Sequence, residues 1–152
     1  MVLVGASGSG KSTLVKTINR LVTPDAGDVS IGHRKVGDGE PHILRRDIGY
    51  VIQGIGLFPH LSVAANIAMP MRIAGEDAAK RVEELLDLVD LPREFALRLP
   101  ETLSGGQRQR VGFARALARA PGLMLMNHLA RLIPLRVMCW GGAIARCTTG
   151  WA

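Results

Sequence analysis

The stretch that decides the fold is Gly5-Ala6-Ser7-Gly8-Ser9-Gly10-Lys11-Ser12. It fits the pattern G-x-x-x-x-G-K-[ST], and it lies between the apolar run Val2–Val4 and a helical segment, which is the context that the pattern requires. Glycines let the backbone bend tightly enough for successive N–H groups to point at a polyphosphate. The following helix N-terminus adds positive potential. The sequence therefore predicts a phosphate-binding loop.

The individual residues of this loop suit a nucleotide and its metal ion. Lys11 is placed to reach the β- and γ-phosphates, and the Ser12 hydroxyl is placed to bind Mg²⁺. The alternative is a plain glycine-rich turn, which would need two glycines, a lysine and a serine to fall into register by chance. We expect the phosphate-binding residues to be Gly5, Ala6, Ser7, Gly8, Ser9, Gly10, Lys11, Ser12 and Thr13.

Composition narrows the class of protein. The chain has 152 residues, the size of one domain, and its 47% hydrophobic and 21% charged residues are typical of a globular α/β protein. No apolar run reaches the roughly 20 residues that span a bilayer, and no signal-peptide pattern precedes the loop. The net charge of +6 would suit nucleic acid, but aromatic residues make up only 4%, too few for base stacking. Cys139 and Cys147 lack metal-ligand spacing.

Apolar periodicity predicts, in order, a strand, a helix, further strands, a helix-rich insert, and then a helix and a strand. This order, with a helix-rich insert in the middle, predicts an α/β domain that carries an inserted helical lobe. We expect strands over Val2–Val4, Val29–Ile31, Ile48–Ile52 and Leu123–Met126, and helices over about Lys11–Leu21, Val63–Met69, Glu76–Val89 and Gln107–Arg119. The helix over Glu76–Val89 should carry an apolar face made by Val82, Leu85, Leu86 and Val89, with charged residues opposite.

A second motif, Leu103-Ser104-Gly105-Gly106-Gln107, follows the lobe. Alone it would indicate a helix start with Ser104 as the N-cap. Downstream of a phosphate-binding loop, it resembles the LSGGQ signature of the ATP-binding-cassette (ABC) ATPases. The resemblance covers Met1 to about Met126 and implies a P-loop NTPase core with an inserted α-helical subdomain. In that family the signature of one subunit completes the ATP site of another, which implies phosphate-binding roles for Ser104, Gly105, Gly106 and Gln107.

Gln53 stands at the end of the predicted strand Ile48–Ile52. A lone glutamine there would be a solvent-facing loop residue, but ABC ATPases place their Q-loop glutamine at this point. The resemblance implies that Gln53 senses the γ-phosphate and binds Mg²⁺ together with Ser12. It also implies that Gln53 links the core to the helical lobe.

The stretch Arg45–Pro70, together with Ile18–Leu21, most resembles the ATPases of bacterial importers for glycine betaine, choline and related osmoprotectants. Importers of amino acids or methionine are the competing group. ABC-type ATPases of DNA repair are disfavoured, because only about fifty residues separate Gln53 from Ser104. The resemblance implies ATP and Mg²⁺ as cofactors and ATP hydrolysis that drives uptake. It also implies a second nucleotide-binding subunit, transmembrane permease subunits and, indirectly, a substrate-binding protein, at the cytoplasmic face of a bacterial inner membrane, without nucleic acid.

The resemblance breaks after Met126. The family has an Asp–Glu pair there, for Mg²⁺ and for the attacking water, but this chain has Asn127 and His128. An amide is a poor Mg²⁺ ligand beside a carboxylate, and a base role for His128 is disfavoured although its ordinary pKa lies near neutrality. We therefore assign no catalytic residue and expect this chain to be deficient in hydrolysis.

The tail 127–152 has no Asp or Glu and holds both cysteines and both tryptophans of the chain. A truncated or frameshifted gene is the favoured interpretation, and a divergent tail is the alternative.

The family also has further strands and an adenine-stacking aromatic residue before the loop, so we expect a domain incomplete at both ends. The predicted division is a nucleotide-binding domain over 1–126, with its core at 1–53 and 106–126 and its helical subdomain at 54–105, followed by an aberrant tail. A non-hydrolysing ATP-binding remnant is the alternative function.

Overall fold

The computed structural model of the chain describes residues 6, 8–31, 33–51 and 54–126. The predicted helices and strands that lie within these residues occur in the predicted order. The helices are α1 (Lys11–Ile18), α2 (Pro41–Arg46), α3 (Val63–Ile73), α4 (Ala79–Leu88) and α5 (Gly105–Leu117), with short 3-10 helices at Arg93–Leu97 and Pro100–Thr102. The strands are β1 (Ser30–Ile31), β2 (Arg34–Lys35), β3 (Ile48–Val51) and β4 (Leu123–Met126).

Two small sheets are described. β1 and β2 form an antiparallel hairpin. β3 and β4 pair in parallel, from Ile48 opposite Leu123 to Val51 opposite Met126. Parallel neighbours need a crossover connection, and here the helices α3, α4 and α5 lie between the two strands in the sequence.

Helix α5 lies very close to β3. A Cβ added at Gly49 would stand 2.5 Å from the carbonyl oxygen of Ala116 and 2.8 Å from Cγ of Pro121. Glycine at position 49 is therefore needed for the close approach of helix to strand. This contact packs α5 directly on the β3–β4 sheet.

One apolar cluster packs the helical lobe against α5. Its largest fully buried side chains come from three helices: Val63 and Ile67 of α3, Leu85 and Leu86 of α4, and Val111 of α5. The predicted apolar face of the α4 segment is confirmed, because its Val82, Leu85 and Leu86 all face this core. Burial of such side chains is the main favourable term in folding.

Several boundaries differ from the predicted ones. α3 continues through Pro70 to Ile73, because Met71 beyond the proline is buried in the core. α1 ends at Ile18 rather than near Leu21, since Arg20 turns the chain with a φ of 55°. α4 begins at Ala79, after Gly75 has turned the chain with a φ of 77°.

Two elements were not predicted. α2 begins with Pro41 at its first position, where the missing N–H costs nothing. β2 is only two residues long and lies opposite β1. The predicted strand Val2–Val4 and the end of the strand at Ile52 lie outside the described residues. Within the described part of the chain, no helix is long and apolar enough to cross a membrane.

Candidate nucleotide-binding site

The described part of the phosphate-binding loop is a tight turn made by glycines. Gly8 has a φ of +83° and Gly10 a φ of +82°, the left-handed region that side chains with a Cβ rarely adopt. The N–H of Ser9 donates to the carbonyl of Ala6 at 3.3 Å. A Cβ at either glycine would meet nothing within 4 Å, so the requirement for glycine is conformational rather than steric. Gly5 and Ser7 lie outside the described residues.

The start of α1 suits an anion. Gly10 is its N-cap and provides no side chain to cap the first turn, and no acidic residue stands in that turn. The first N–H groups of a helix have no partner inside the helix, and the helix dipole favours negative charge there. Lys11, Ser12 and Thr13 all belong to this first turn, and Ser12 is partly exposed. These features fit a polyphosphate with a metal ion beside the Ser12 hydroxyl.

The other end of α1 is held by an arginine from the segment before β3. Arg45 donates from Nε to the carbonyl of Asn19 at 2.9 Å and from Nη2 to the carbonyl of Arg20 at 2.7 Å. A cation there satisfies terminal carbonyls and complements the helix dipole. Asn19 is itself buried, and its Oδ1 accepts from the N–H of Leu21 at 3.2 Å. Sequence reasoning missed this role of Arg45, because 26 residues separate donor and acceptor.

The second motif caps α5 with a reciprocal pair of hydrogen bonds. Ser104 Oγ accepts from the N–H of Gln107 at 3.3 Å, and Gln107 Oε1 accepts from the N–H of Ser104 at 2.8 Å. The predicted N-cap at Ser104 is therefore confirmed, whereas the helix begins at Gly105 rather than at Gln107. The spacing S-x-x-Q is itself a capping-box signal. Ser104 and Gly105 remain exposed at the helix start.

The segment that follows Gln53 is anchored by a buried asparagine of α3. Asn66 is fully buried. Its Oδ1 accepts from the N–H of Phe58 at 2.8 Å, and its Nδ2 donates to the carbonyls of Phe58, Leu61 and Ser62 at 3.1, 2.9 and 3.0 Å. A polar residue inside the apolar run Val63–Ile67 was the available signal for this anchor. Gln53 itself lies outside the described residues.

The remaining candidate residues come directly or soon after the ends of β3 and β4 in the sequence. Val51 and Met126 stand opposite each other. Gln53 comes two residues after Val51, and Asn127 and His128 come directly after Met126. Asn127 and His128 lie outside the described residues. In the described part, no group of three or more His, Cys, Asp or Glu side chains is arranged to hold a metal ion.

Comparison with known families is consistent with this geometry. The ABC transporter family matches residues 1–127. The chain belongs to the ABC transporter family. The expected α/β P-loop fold of an ABC ATPase and the resemblance to osmoprotectant importer subunits are both confirmed.

Two curated relatives illustrate the ABC family match. The osmoprotectant import ATP-binding protein OsmV of Salmonella typhimurium is 48% identical over 131 residues, which cover 84% of this chain and 34% of that protein. The choline transport ATP-binding protein OpuBA of Bacillus subtilis is 47% identical over 128 residues, or 82% of this chain and 34% of that protein. The chain thus spans about a third of the length of the curated relatives it matches.

A solved ABC structure has the same fold. It is the dimeric ATP-binding cassette MJ0796 in a post-hydrolysis state, bound to ADP and Pi. The two are 40% identical with a TM-score of 0.70, and the match covers 80% of this chain and 57% of that one.

Proposed function

We propose that this chain is the ATP-binding part of an ABC importer subunit, in which ATP binding and hydrolysis drive the uptake of osmoprotectants such as glycine betaine or choline. The observation that carries the proposal is the loop before α1, where Gly8 and Gly10 adopt left-handed conformations next to a helix start without a capping side chain. Such a loop binds phosphate through backbone N–H groups and the helix dipole.

The roles of the individual residues follow from this loop. We propose that Gly5 to Thr13 hold the phosphates, with Lys11 reaching the β- and γ-phosphates and Ser12 binding Mg²⁺ together with Gln53. Bound Mg²⁺ would neutralise charge that develops on the phosphates during transfer. Ser104, Gly105, Gly106 and Gln107 would contact the nucleotide of the second subunit. The exposed start of α5 and its rigid capping box support this last role.

The transported substrate and the partners are proposed from similarity. OsmV is named for osmoprotectant import and OpuBA for choline transport. A dimeric relative supports pairing with a second nucleotide-binding subunit. We propose that this pair docks on permease subunits at the cytoplasmic face of a bacterial inner membrane, and that a substrate-binding protein acts through the permease. The proposed division of the chain is a core at 1–53 and 106–126 with a helical subdomain at 54–105, and α5 packs against both β3 and α3.

A second candidate function is nucleotide binding without hydrolysis. The observation that favours it is the pair Asn127-His128, which directly follows strand β4 in the sequence. Phosphoryl transfer depends on positioning and on charge stabilisation, and the two carboxylates that would supply both are replaced. In this version the chain retains the phosphate loop and the signature but performs no turnover by itself.

A chimera tests the importer function without relying on the tail. Residues 1–126 of this chain would replace the aligned residues of OsmV in cells that lack their own OsmV, and uptake of labelled glycine betaine would be measured at high osmolarity. We expect uptake to be restored, and Lys11→Ala in the same chimera to abolish it. A chimera that accumulates and binds ATP but restores no uptake would contradict the osmoprotectant assignment. The same exchange into a methionine importer tests the competing substrate class.

A further inference from the structure

The three residues after Gln53 form a strained turn. Gly54, Ile55 and Gly56 have φ angles of 85°, 68° and 54°, and the N–H of Gly56 donates to the carbonyl of Gly54 at 2.7 Å. A positive φ is an outlier for a β-branched residue such as Ile55. Strained backbone persists only where the surroundings over-determine it. Contacts with the surrounding structure must therefore hold this turn in its conformation.

Arg115 of α5 holds the turn by its backbone. Its Nη2 donates to the carbonyl of Ile55 and its Nη1 to the carbonyl of Gly56, both at 2.8 Å. The planar guanidinium fits two successive carbonyls in a way that the single ammonium of lysine cannot. Burial lowers the pKa of the Arg115 guanidinium. In the described part of the chain, these carbonyls rather than a carboxylate receive its hydrogen bonds.

A second contact lies one turn earlier on the same helix. A Cβ added at Gly112 would stand 2.8 Å from Cγ2 of Ile55. The Ile55 side chain thus packs directly on the backbone of α5, while Arg115 grips the carbonyls next to it. Two points of contact fix the position of the turn relative to the helix.

The same helix begins with the signature motif. Ser104 caps α5, and Arg115 lies eleven residues later, about 16 Å along a rigid helix. Gln53 directly precedes Gly54, the first residue of this turn, in the sequence. A shift of α5 along its axis would therefore carry the backbone next to Gln53 with it.

We infer that Arg115 is a positioning residue that fixes the Gly54–Gly56 turn, which follows Gln53 in the sequence, on the signature helix α5. This inference rests on the proposed function, since it takes Gln53 to contact the γ-phosphate. In this inference Arg115 acts by holding the turn and not by contact with a nucleotide.

Nucleotide discrimination distinguishes coupling from a purely structural role. The affinities of the full chain for ATP and for ADP, each with Mg²⁺, would be measured by calorimetry for the wild type, Gln53→Ala, Arg115→Met and the double variant. We expect Arg115→Met to lower the preference for ATP over ADP by about fivefold or more and to leave ADP affinity nearly unchanged. In the Gln53→Ala background it should have no further effect, because both changes remove the same contact.

The matched control is Arg110→Met. Arg110 also lies on α5 and also donates to two successive carbonyls, those of Val89 and Asp90 at 3.2 and 3.0 Å, but these belong to the helical lobe. It should leave the ATP preference unchanged. Arg115→Lys, which can reach only part of the carbonyl pair, should retain an intermediate preference, and it replaces Arg115→Met in the cycle if that variant does not fold.

Two other results would overturn the inference. One is equal loss of ATP and ADP affinity in Arg115→Met, and the other is an effect that adds fully to that of Gln53→Ala. Absence of nucleotide binding in the wild type, or a wild-type ATP preference that Gln53→Ala leaves intact, would instead refute the proposed function. The two failures are thereby separated.

Discussion

The helical lobe and the phosphate-loop region are stabilised in different ways. Helices α3, α4 and α5 share one apolar cluster with several fully buried side chains. Among the described side chains before β3, only those of Thr17, Asn19 and Val36 are buried. Hydrogen bonds to carbonyls hold that region, such as those from Arg45 to Asn19 and from Arg20 to Gly39.

This difference in stabilisation fits different proposed roles for the two regions. The lobe presents the start of α5 on a packed support that needs no ligand. The phosphate-loop region offers glycines and helix N–H groups to an anion, and a bound nucleotide would add stability there by mass action. The comparison predicts that substitutions in the lobe act on folding and substitutions in the loop act on binding.

The largest expected effect is on folding. Leu85→Ala removes a fully buried side chain of the lobe and should lower the free energy of unfolding by about 2–5 kcal/mol. The matched control is Leu14→Ala in α1, where the side chain is 45% exposed and the expected loss stays within about 0.5 kcal/mol. Urea unfolding followed by circular dichroism measures both. Equal losses would remove the distinction between the two regions.

The next effect is on binding. Lys11→Ala should weaken Mg-ATP affinity about 10- to 100-fold, the range expected when a hydrogen bond to a charged group is lost, while leaving the urea midpoint of the free protein nearly unchanged. Lys16→Ala is the control, because Lys16 lies in the last turn of the same helix, away from the loop. Calorimetric titration of both variants is the measurement, and indistinguishable curves would count against the phosphate assignment.

A smaller effect is expected at the start of α5. Ser104→Ala removes the side-chain half of the capping box and should cost about 1 kcal/mol of stability. Ser62→Ala removes a similar cap from α3, where the Ser62 hydroxyl accepts from Ala65 at 3.2 Å. Both should lower the urea midpoint by similar amounts. A loss for Ser62→Ala alone would indicate that the Ser104 cap contributes nothing to the free protein.

The smallest expected effect is on how the free energy of unfolding depends on pH, through an ion pair in the helical lobe. Arg93 donates two hydrogen bonds to the Asp87 carboxylate, at 2.6 and 3.1 Å, and these bonds lower the pKa of Asp87 below its ordinary value of 3.8. A lowered pKa means that the pair stabilises the folded state above that value and that the contribution is lost as the pH falls below it. The pair is exposed, so the effect is small.

Urea midpoints of the wild type and Asp87→Asn measure this dependence. The wild type should be slightly more stable at neutral pH, and the difference should disappear on acidification below pH 3.8. A difference that persists unchanged at lower pH would show that the stabilisation does not depend on the charge of Asp87.

Local patterns explain which features the sequence predicted. The phosphate loop, the apolar face of α4 and the Ser104 cap each depend on residues a few positions apart, so they are readable from spacing. Arg45, Asn66 and Arg115 were missed as anchors. Arg115 bonds to residues 59 and 60 positions away, and no local pattern distinguishes it from the other arginines of α5. Short elements such as α2 and β2 carry too few residues for a clear periodicity.

The claim tested most directly is the second proposed function, in which this chain by itself binds ATP at its phosphate loop without hydrolysing it, because Asn127 and His128 stand where the family has two carboxylates. The most direct measurement is phosphate release from Mg-ATP by the purified full chain under conditions where titration shows the site to be occupied. Lys11→Ala serves as the background. We predict release equal to that background, because losing even one group that acts in the transition state commonly lowers a rate about a hundredfold or more. Release well above the Lys11→Ala level would contradict the account and show that other residues supply the missing roles.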